Sequence, residues 1–246
     1  MQRISASVNG ERLEKWLPDA DEEVMPGVPW GQSHVLFTPA FWAACAWQQK
    51  SRPSHPPNYR TGETLLEEVV FCLLSGHGVS AEMARAAFDH LKQHGVFHMT
   101  PTEEEVSDLL RQRHSCGDRK MRYRFPNRRG AYIAEAIRAI HQKMPLPIGG
   151  HELRDWLMTL PGVGPKTASF IVRNWCDCDD VAVIDIHIQR AGVAAGVFEK
   201  NMLPERHYFA MERRFLAFAT ALGEKASLLD LLMWSCMRSA GTLAFL

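Results

Sequence analysis

The sequence predicts an all-α protein, a two-lobed helical bundle with a cleft between its lobes. Helical spacing of apolar residues dominates from residue 62 onward, and strand-like alternation is scarce. Hydrophobic residues make up 46% of the 246-residue chain, enough to bury a sizeable core in one or two domains. Residues 1–60 differ, since they are rich in aromatic residues and end in a proline-rich stretch. We therefore predict an N-terminal extension, 1–60, of unknown role, followed by a helical core, 61–246.

The helices follow from apolar spacing and from capping residues at their starts. Thr38 and Pro39 suit the cap and the first position of a short helix. Ser80 suits a second cap, and the Thr-Glu-Glu-Glu run that begins at Thr102 is a capping-type start. The predicted helices span 38–48, 64–75, 80–94, 102–113, 129–143, 152–159, 165–175, 186–196, 204–222 and 226–240.

A glycine-containing turn joins the helices of the segment 152–175. Gly162 and Gly164 permit a turn that residues with a Cβ would resist, and Pro165 suits the first position of the following helix. Free N–H groups of the turn and of the helix start favour an anion, and in DNA-binding proteins such an element binds one backbone phosphate. An ordinary helix-helix turn is the less favoured alternative. The residues expected at the phosphate are Gly162, Val163, Gly164 and Thr167.

Lys166 follows this turn directly and is the candidate nucleophile. The positive end of the helix dipole disfavours a charged ammonium in the first turn, and partial burial would act in the same direction. A neutral amine can attack a sugar C1′ and form a Schiff base there. The plainer interpretation is a surface lysine that touches a phosphate.

Asp185 follows the short apolar segment 181–184 and precedes a predicted helix. Asp is a favoured N-cap residue, so a purely structural capping role is one interpretation. A carboxylate would also stabilise a developing oxocarbenium ion, and this second interpretation stays open beside the first.

Two motifs together resemble the helix-hairpin-helix glycosylase superfamily. The run LPGVGPKTASFIVRN, followed by VIDIHIQRAG, is similar to its 8-oxoguanine DNA glycosylase/lyase branch. A further stretch, 122–133, is similar to the shorter prokaryotic members, and the resemblance covers roughly residues 62–240. The residues that match the branch's hairpin and aspartate motifs are Gly162, Gly164, Lys166, Asp185 and His187.

The resemblance implies a bifunctional DNA N-glycosylase and AP lyase that acts on duplex DNA containing a damaged base. Lys166 would displace the base by attack at C1′, and the Schiff base would eliminate the 3′ phosphate. Asp185 would stabilise the cationic sugar, and His187 would contact a DNA phosphate near the flipped nucleotide. 8-Oxoguanine is the leading substrate, while another modified base remains open.

A basic segment upstream of the turn is expected to contact the DNA backbone. Residues 111–143 contain ten Lys or Arg against Asp118 and Glu135, a net charge of +8, although the whole chain has a formal charge of zero. A solvated helix face is the alternative. The residues chosen as backbone contacts are Arg122, Arg124, Asn127 and Arg128.

The base pocket rests on the resemblance alone. His77, between the first two core helices, is at the position where relatives insert a wedge into the DNA stack. A loop histidine without a role is an equally weighted alternative. Phe170 occupies a position that faces the extruded base in relatives. Asp230 and Trp234, four residues apart on one helix, would supply a polar contact and a stacking surface. Phe170 and Trp234 could equally be core residues.

No cofactor is expected. The six cysteines lack disulfide-scaffold density, and Cys236 has no neighbours with which to bind an iron–sulfur cluster. No secretory signal or transmembrane stretch is visible, so we expect a cytoplasmic, nucleoid-associated monomer. The absence of cluster cysteines argues against an endonuclease III-type excision of oxidised pyrimidines. A non-catalytic DNA-binding module is the alternative from a different class, and a metal-dependent hydrolase is less favoured.

Overall fold

The fold is described from a computed structural model that covers residues 1–8, 10–51, 60–76, 78–143 and 149–240. The chain divides into two compact units. We call Met1–Pro57 with Cys178–Leu246 the terminal unit, and Asn58–Asp177 the central unit. The predicted division into 1–60 and 61–246 stays a prediction.

Helices predominate among the described residues, as the sequence predicts, and short strands accompany them. In chain order the elements are β1 (Gln2–Val8), β2 (Glu11–Leu17), β3 (Glu23–Met25), β4 (Val28–Pro29), α1 (Pro39–Ser51), α2 (Leu65–Leu74), α3 (Ala81–Gln93), a 3-10 helix (Val96–His98), α4 (Glu103–Arg111), β5 (Arg113–Cys116), β6 (Arg119–Arg122), α5 (Pro126–Lys143), α6 (Gly150–Leu157), α7 (Pro165–Cys176), α8 (Ile186–Ala194), α9 (Pro204–Leu222) and α10 (Ala226–Ala240).

The terminal unit packs α1, α8, α9 and α10 around an aromatic core. Trp42, Phe215 and Phe218 have no exposed surface. Helix α1 begins where predicted, because the Thr38 hydroxyl accepts a hydrogen bond from the Phe41 N–H at 3.1 Å. The β1–β2 hairpin adds Ile4 to the same core.

The central unit consists of α2 to α7, and side-chain caps begin three of its helices. Ser80 accepts from the Met83 N–H at 3.2 Å, which confirms it as a cap. Thr102 and Glu105 form a complete capping box. These caps are local in sequence, and for that reason the helix starts could be predicted.

A buried carboxylate ties α2 to α7 within the central unit. Glu68 has no exposed surface, and its Oε2 accepts from the Thr61 N–H at 2.7 Å and the Gly62 N–H at 3.0 Å. Its Oε1 accepts from Asn174 Nδ2 on α7 at 3.3 Å. A buried charge bonded in this way holds its partners firmly, so α7 is fixed at its C-terminal end as well as by core packing.

Three two-stranded antiparallel sheets are present among the described residues, and the sequence interpretation contained none of them. The β5–β6 hairpin overlaps the end of the helix predicted over 102–113, which instead stops at Arg111. Its strands contain Arg, Lys, His and Cys without the β-branched residues that mark a strand. The Gly117-Asp118 pair at its turn was the available signal, since Gly-Asp often joins hairpin strands.

Candidate active site and nucleic-acid interface

Buried apolar side chains hold the turn between α6 and α7 against the core of the central unit. Leu157, Leu160 and Val163 are at most 6% exposed, so the turn lies against the core of the central unit. The Leu160 N–H donates to the Leu157 carbonyl at 3.0 Å, and the Val163 N–H donates to the Leu160 carbonyl at 3.2 Å. The Val163 N–H therefore has an internal partner, contrary to the expectation that the N–H groups of the turn are free.

Gly162 is required by both backbone conformation and packing. Its φ is +83°, in the left-handed region that favours glycine. A Cβ at this position would lie 2.3 Å from a ring carbon of Tyr132 on α5. The prediction that this glycine permits the turn is confirmed, and the ring of Tyr132 explains why no side chain fits.

Gly164 is a different case, and the expectation that its backbone conformation needs glycine is wrong. Its φ of −97° and ψ of 177° are extended values that any residue adopts. A Cβ here would meet no described atom within 4 Å. Neither strain nor packing inside the described chain accounts for this glycine.

Lys166 occupies the first turn of α7, as predicted. Gly164 is the N-cap and offers no side chain to the N–H groups that follow, and Pro165 is the first helical residue. The Lys166 side chain is exposed, so the partial burial that we expected is not found.

The segment 181–184 is buried and belongs to no helix or strand, and side chains of α9 and α10 accept hydrogen bonds from its backbone N–H groups. The Ala182 N–H donates to Glu212 at 3.1 Å, and the Ile184 N–H donates to the Tyr208 hydroxyl at 3.3 Å. The Val183 N–H donates to Asp230 at 3.3 Å. Because buried N–H groups must find partners, these three side chains determine the path of the backbone that leads to Asp185.

Asp185 caps α8, which confirms the structural interpretation without excluding the chemical one. Its Oδ1 accepts from the His187 N–H at 2.8 Å and from the Ile188 N–H at 2.9 Å. The residue is 9% exposed. Two N–H donors at the start of α8 therefore hold this carboxylate oxygen in place.

His187 lies one residue into α8 beside the aromatic ring of Trp234. The two rings meet edge to face, with centroids 6.4 Å apart. Its Nδ1 is buried, and in the described part of the chain it has no hydrogen-bond partner. Trp234 is half-buried and also contacts the guanidinium of Arg238 at 5.1 Å.

The predicted base-pocket residues are spread over both units. Asp230 is 2% exposed and bonds the Val183 N–H, so its contact lies with the backbone ahead of Asp185. Phe170, in the central unit, is half-buried with the Arg173 guanidinium 5.2 Å from its ring. His77 lies outside the described residues. The pocket roles stay predictions.

The predicted backbone-binding residues Arg122, Arg124, Asn127 and Arg128 are all exposed. The Asn127 side-chain oxygen accepts from Arg111 Nε at 3.1 Å. Arg128 Nε donates to the Tyr132 hydroxyl at 2.8 Å. Since the ring of Tyr132 packs against Gly162, a cation of α5 and the glycine turn belong to one continuous surface. Tyr132 was missed as the link between them, although its spacing of four from Arg128 was the available signal.

No group of three or more His, Cys, Asp or Glu side chains among the described residues could hold a metal ion. None of the helices in that part of the chain is long and apolar enough to cross a membrane.

Comparison with known proteins gives a consistent family. The profile of a family described as 8-oxoguanine DNA glycosylase matches residues 55–224. An 8-oxoguanine DNA glycosylase/AP lyase of Metallosphaera sedula is 30% identical over 184 residues, covering 72% of this chain and 84% of that protein. One from Korarchaeum cryptofilum, of the same name, is 29% identical over 181 residues, covering 71% and 80%.

A solved structure agrees with these relatives. The 8-oxoguanine glycosylase/lyase of Methanocaldococcus jannaschii, in complex with a 15mer DNA containing 8-oxoguanine, aligns with a TM-score of 0.54 at 27% identity. The alignment covers 71% of this chain and 81% of that one. The matched residues include the turn with Lys166 and the helix start at Asp185, and the chain belongs to the 8-oxoguanine DNA glycosylase family.

Proposed function

We propose that this protein is a DNA repair glycosylase and AP lyase that flips an oxidised purine, 8-oxoguanine, out of duplex DNA and excises it. The observation that carries the proposal is Lys166, exposed in the first turn of α7 directly after the glycine turn, in a member of this family. An amine in that position is next to a backbone phosphate whenever the turn binds one.

The chemistry assigned to Lys166 has two stages. The neutral Nζ attacks C1′ of the damaged nucleotide, the N-glycosidic bond breaks, and the base leaves with a proton. The C1′–O4′ bond then breaks, O4′ takes up a proton as Nζ gives one up, and the ring-opened sugar stays joined to Lys166 as a Schiff base. Loss of a C2′ proton lets the C3′–O bond break by β-elimination, which cleaves the strand and releases the 3′ phosphate. Hydrolysis frees the lysine.

Asp185 is assigned to the same reaction as the carboxylate that stabilises positive charge on the sugar. The two N–H donors that hold Oδ1 orient this carboxylate, so it needs little reorganisation during the reaction. Tyr208, Glu212 and Asp230 position it through the backbone of 181–184.

DNA binding is assigned to the glycine turn and to α5. The N–H groups at the start of α7 would bind a phosphate, and Gly164 has no Cβ to obstruct it. The cations Arg122, Arg124 and Arg128 with Asn127 would contact neighbouring phosphates, and His187 another. Phe170, Trp234 and Asp230 are proposed near the extruded base, and His77 as the wedge.

Borohydride trapping on duplexes that each carry one lesion tests the proposal. The lesions are 8-oxoguanine, thymine glycol, uracil and an abasic site. We expect a covalent adduct with 8-oxoguanine from the parent chain and from Lys200→Gln, an exposed lysine control, but none from Lys166→Gln. An adduct at thymine glycol or uracil instead would mean that this base, and not 8-oxoguanine, is the substrate. The absence of an adduct with every duplex would overturn the enzymatic function.

The alternative of a non-catalytic DNA-binding module draws on one observation, the complete capping role of Asp185. In that case the carboxylate would serve only the fold. We propose further that the protein acts as a monomer in the cytoplasm at the nucleoid, and light scattering with and without duplex DNA tests the monomer.

A further inference from the structure

The β5–β6 hairpin has one face that is exposed and carries three cations. Arg113 lies opposite Arg122, and Ser115 lies opposite Lys120. Because side chains alternate across a strand, these four residues share one face, and all four are exposed. The sequence interpretation placed Arg122 at the DNA but gave Arg113 and Lys120 no individual role.

Acidic side chains do not neutralise this face within the described ranges. Glu104 and Asp108 both pair with Arg111, whereas no ion pair of Arg113, Lys120 or Arg122 is found there. The turn itself contains Asp118, and Glu82 of α3 lies beside Gly117. Like charges directly across a hairpin destabilise it, so an anion bound on this face would relieve the repulsion between Arg113 and Arg122.

On the opposite face the two β5 side chains are buried, whereas Arg119 and Met121 of β6 are exposed. His114 is 3% exposed and Cys116 is 5% exposed. Tyr123, directly after β6, is also buried, and its hydroxyl donates to the Leu74 carbonyl at 2.7 Å. Burial raises the pKa of Tyr123 to about 12, with Arg129 opposing the shift, so this hydroxyl stays a neutral donor at physiological pH. The cationic face is therefore presented by an ordered element.

The hairpin also continues directly into the surface assigned to DNA. Tyr123 is followed by Arg124 and then by the start of α5 at Pro126. Within the first turn of α5, Arg128 bonds Tyr132, whose ring packs on Gly162 of the glycine turn. All of these residues belong to the central unit.

We propose that Arg113 and Lys120 make the β5–β6 hairpin a second backbone-binding element, which contacts phosphates of duplex DNA away from the damaged nucleotide. This inference rests on the proposed function. A strand of four residues extends roughly 10–14 Å, and duplex DNA carries about one charge per 1.7 Å of its axis, so several phosphates come within reach. The contacts are independent of base sequence, since they involve only the backbone.

The β1–β2 hairpin offers a comparison, because its exposed arginines are paired with a carboxylate of the same hairpin. Arg3 and Arg12 lie on that hairpin, and both pair with Glu14, at 3.8 Å and 3.1 Å. Their side chains are as exposed as cations on a DNA-binding face would be, at 55% and 65%. An Arg3→Thr/Arg12→Thr double variant thus removes two charges from a hairpin without a proposed DNA contact.

The test is the salt dependence of binding to a short undamaged duplex, measured by fluorescence anisotropy. The slope of log K against log salt is negative, and each lost phosphate contact reduces its magnitude by about 0.9, so Arg113→Thr/Lys120→Thr should reduce the magnitude by about 1.8. The parent's advantage in affinity over this variant should then shrink about tenfold between about 50 and 200 mM salt. The Arg3→Thr/Arg12→Thr control should keep the parent slope.

Arg113→Glu separates binding from stability. The change creates an opposite-charge pair with Arg122, so the hairpin should be stabilised while DNA binding weakens at low salt by about tenfold or more. Parent-like affinity and slope in both Arg113 variants would overturn the inference. The inference would also be overturned if Arg113→Thr/Lys120→Thr and the Arg3→Thr/Arg12→Thr control changed the salt slope by the same amount.

The outcome is distinguishable from failure of the proposed function. If the parent chain forms the borohydride adduct while the hairpin variants bind DNA as it does, only the hairpin inference fails. If the parent chain binds DNA with the expected slope but forms no adduct with any lesion, the enzymatic function fails and the backbone contact is still measured.

Discussion

The candidate catalytic residues Lys166 and Asp185 lie at the starts of two helices, and the two helices are capped in opposite ways. Helix α7 begins at Gly164, which supplies no side chain to the N–H groups of its first turn. Helix α8 begins at Asp185, whose Oδ1 accepts from two N–H groups at 2.8 and 2.9 Å. The start of α8 follows the buried segment 181–184, whereas Pro161, Gly162 and Gly164 ahead of α7 are exposed.

The difference shows how one element serves two kinds of chemistry. The first N–H groups of a helix attract negative charge. Where the protein supplies its own carboxylate, as at α8, that charge is held in place and the carboxylate is oriented. Where the cap is glycine, as at α7, the site is suited to an external anion such as a DNA phosphate.

Removing the amine of α7 should have the largest effect. We expect Lys166→Gln to lower the single-turnover rate of strand cleavage by at least about 1000-fold, because the change removes the amine that forms the Schiff base. The Kd for duplex DNA should change little, since the glycine turn remains. Cleavage at the parent rate would show that the nucleophile lies elsewhere.

Changing the cap of α8 should have the next largest effect and separates its two roles. Asn also caps helices, so Asp185→Asn should slow excision by about 100-fold with little loss of stability. Asp185→Ala should slow excision similarly and cost about 1 kcal/mol more in the free energy of unfolding, measured with urea. A parent excision rate in Asp185→Asn would favour the purely structural role.

Filling the turn at Gly162 should act on stability first. Its φ of +83° and the Tyr132 ring 2.3 Å from a new Cβ predict a loss of about 1–3 kcal/mol for Gly162→Ala in urea unfolding. DNA affinity should fall with the displaced turn. Stability equal to that of the parent chain would mean that the α5 contact is readily rearranged.

Filling the start of α7 should have the smallest effect on the fold and thereby sharpens the comparison. Gly164→Ala adds a Cβ that meets no described atom within 4 Å. The free energy of unfolding should therefore fall by at most about 1 kcal/mol, because Ala is a less favourable N-cap than Gly. The Kd for undamaged duplex should rise several-fold, because the methyl group obstructs the phosphate. Anisotropy that shows no change in Kd would place the phosphate elsewhere.

Local signals predicted the helices well, and non-local packing explains the errors. Ser80, Thr102 and Asp185 cap helices because a side chain reaches N–H groups two or three residues away. The β5–β6 hairpin was missed because charged and polar strands lack β-type composition, and its stability comes from the burial of His114 and Cys116.

The amino-acid sequence by itself determined the helical class, the glycine turn before Lys166, the cap at Asp185 and the basic stretch around α5. Each of these depends on interactions within a few residues or on composition. Tertiary structure alone decided that Gly162 faces Tyr132, that Asp230 holds the backbone ahead of Asp185, and that Arg113 lies opposite Arg122. Those contacts join residues 9 to 47 positions apart, and the distances between them depend on how whole helices and strands pack.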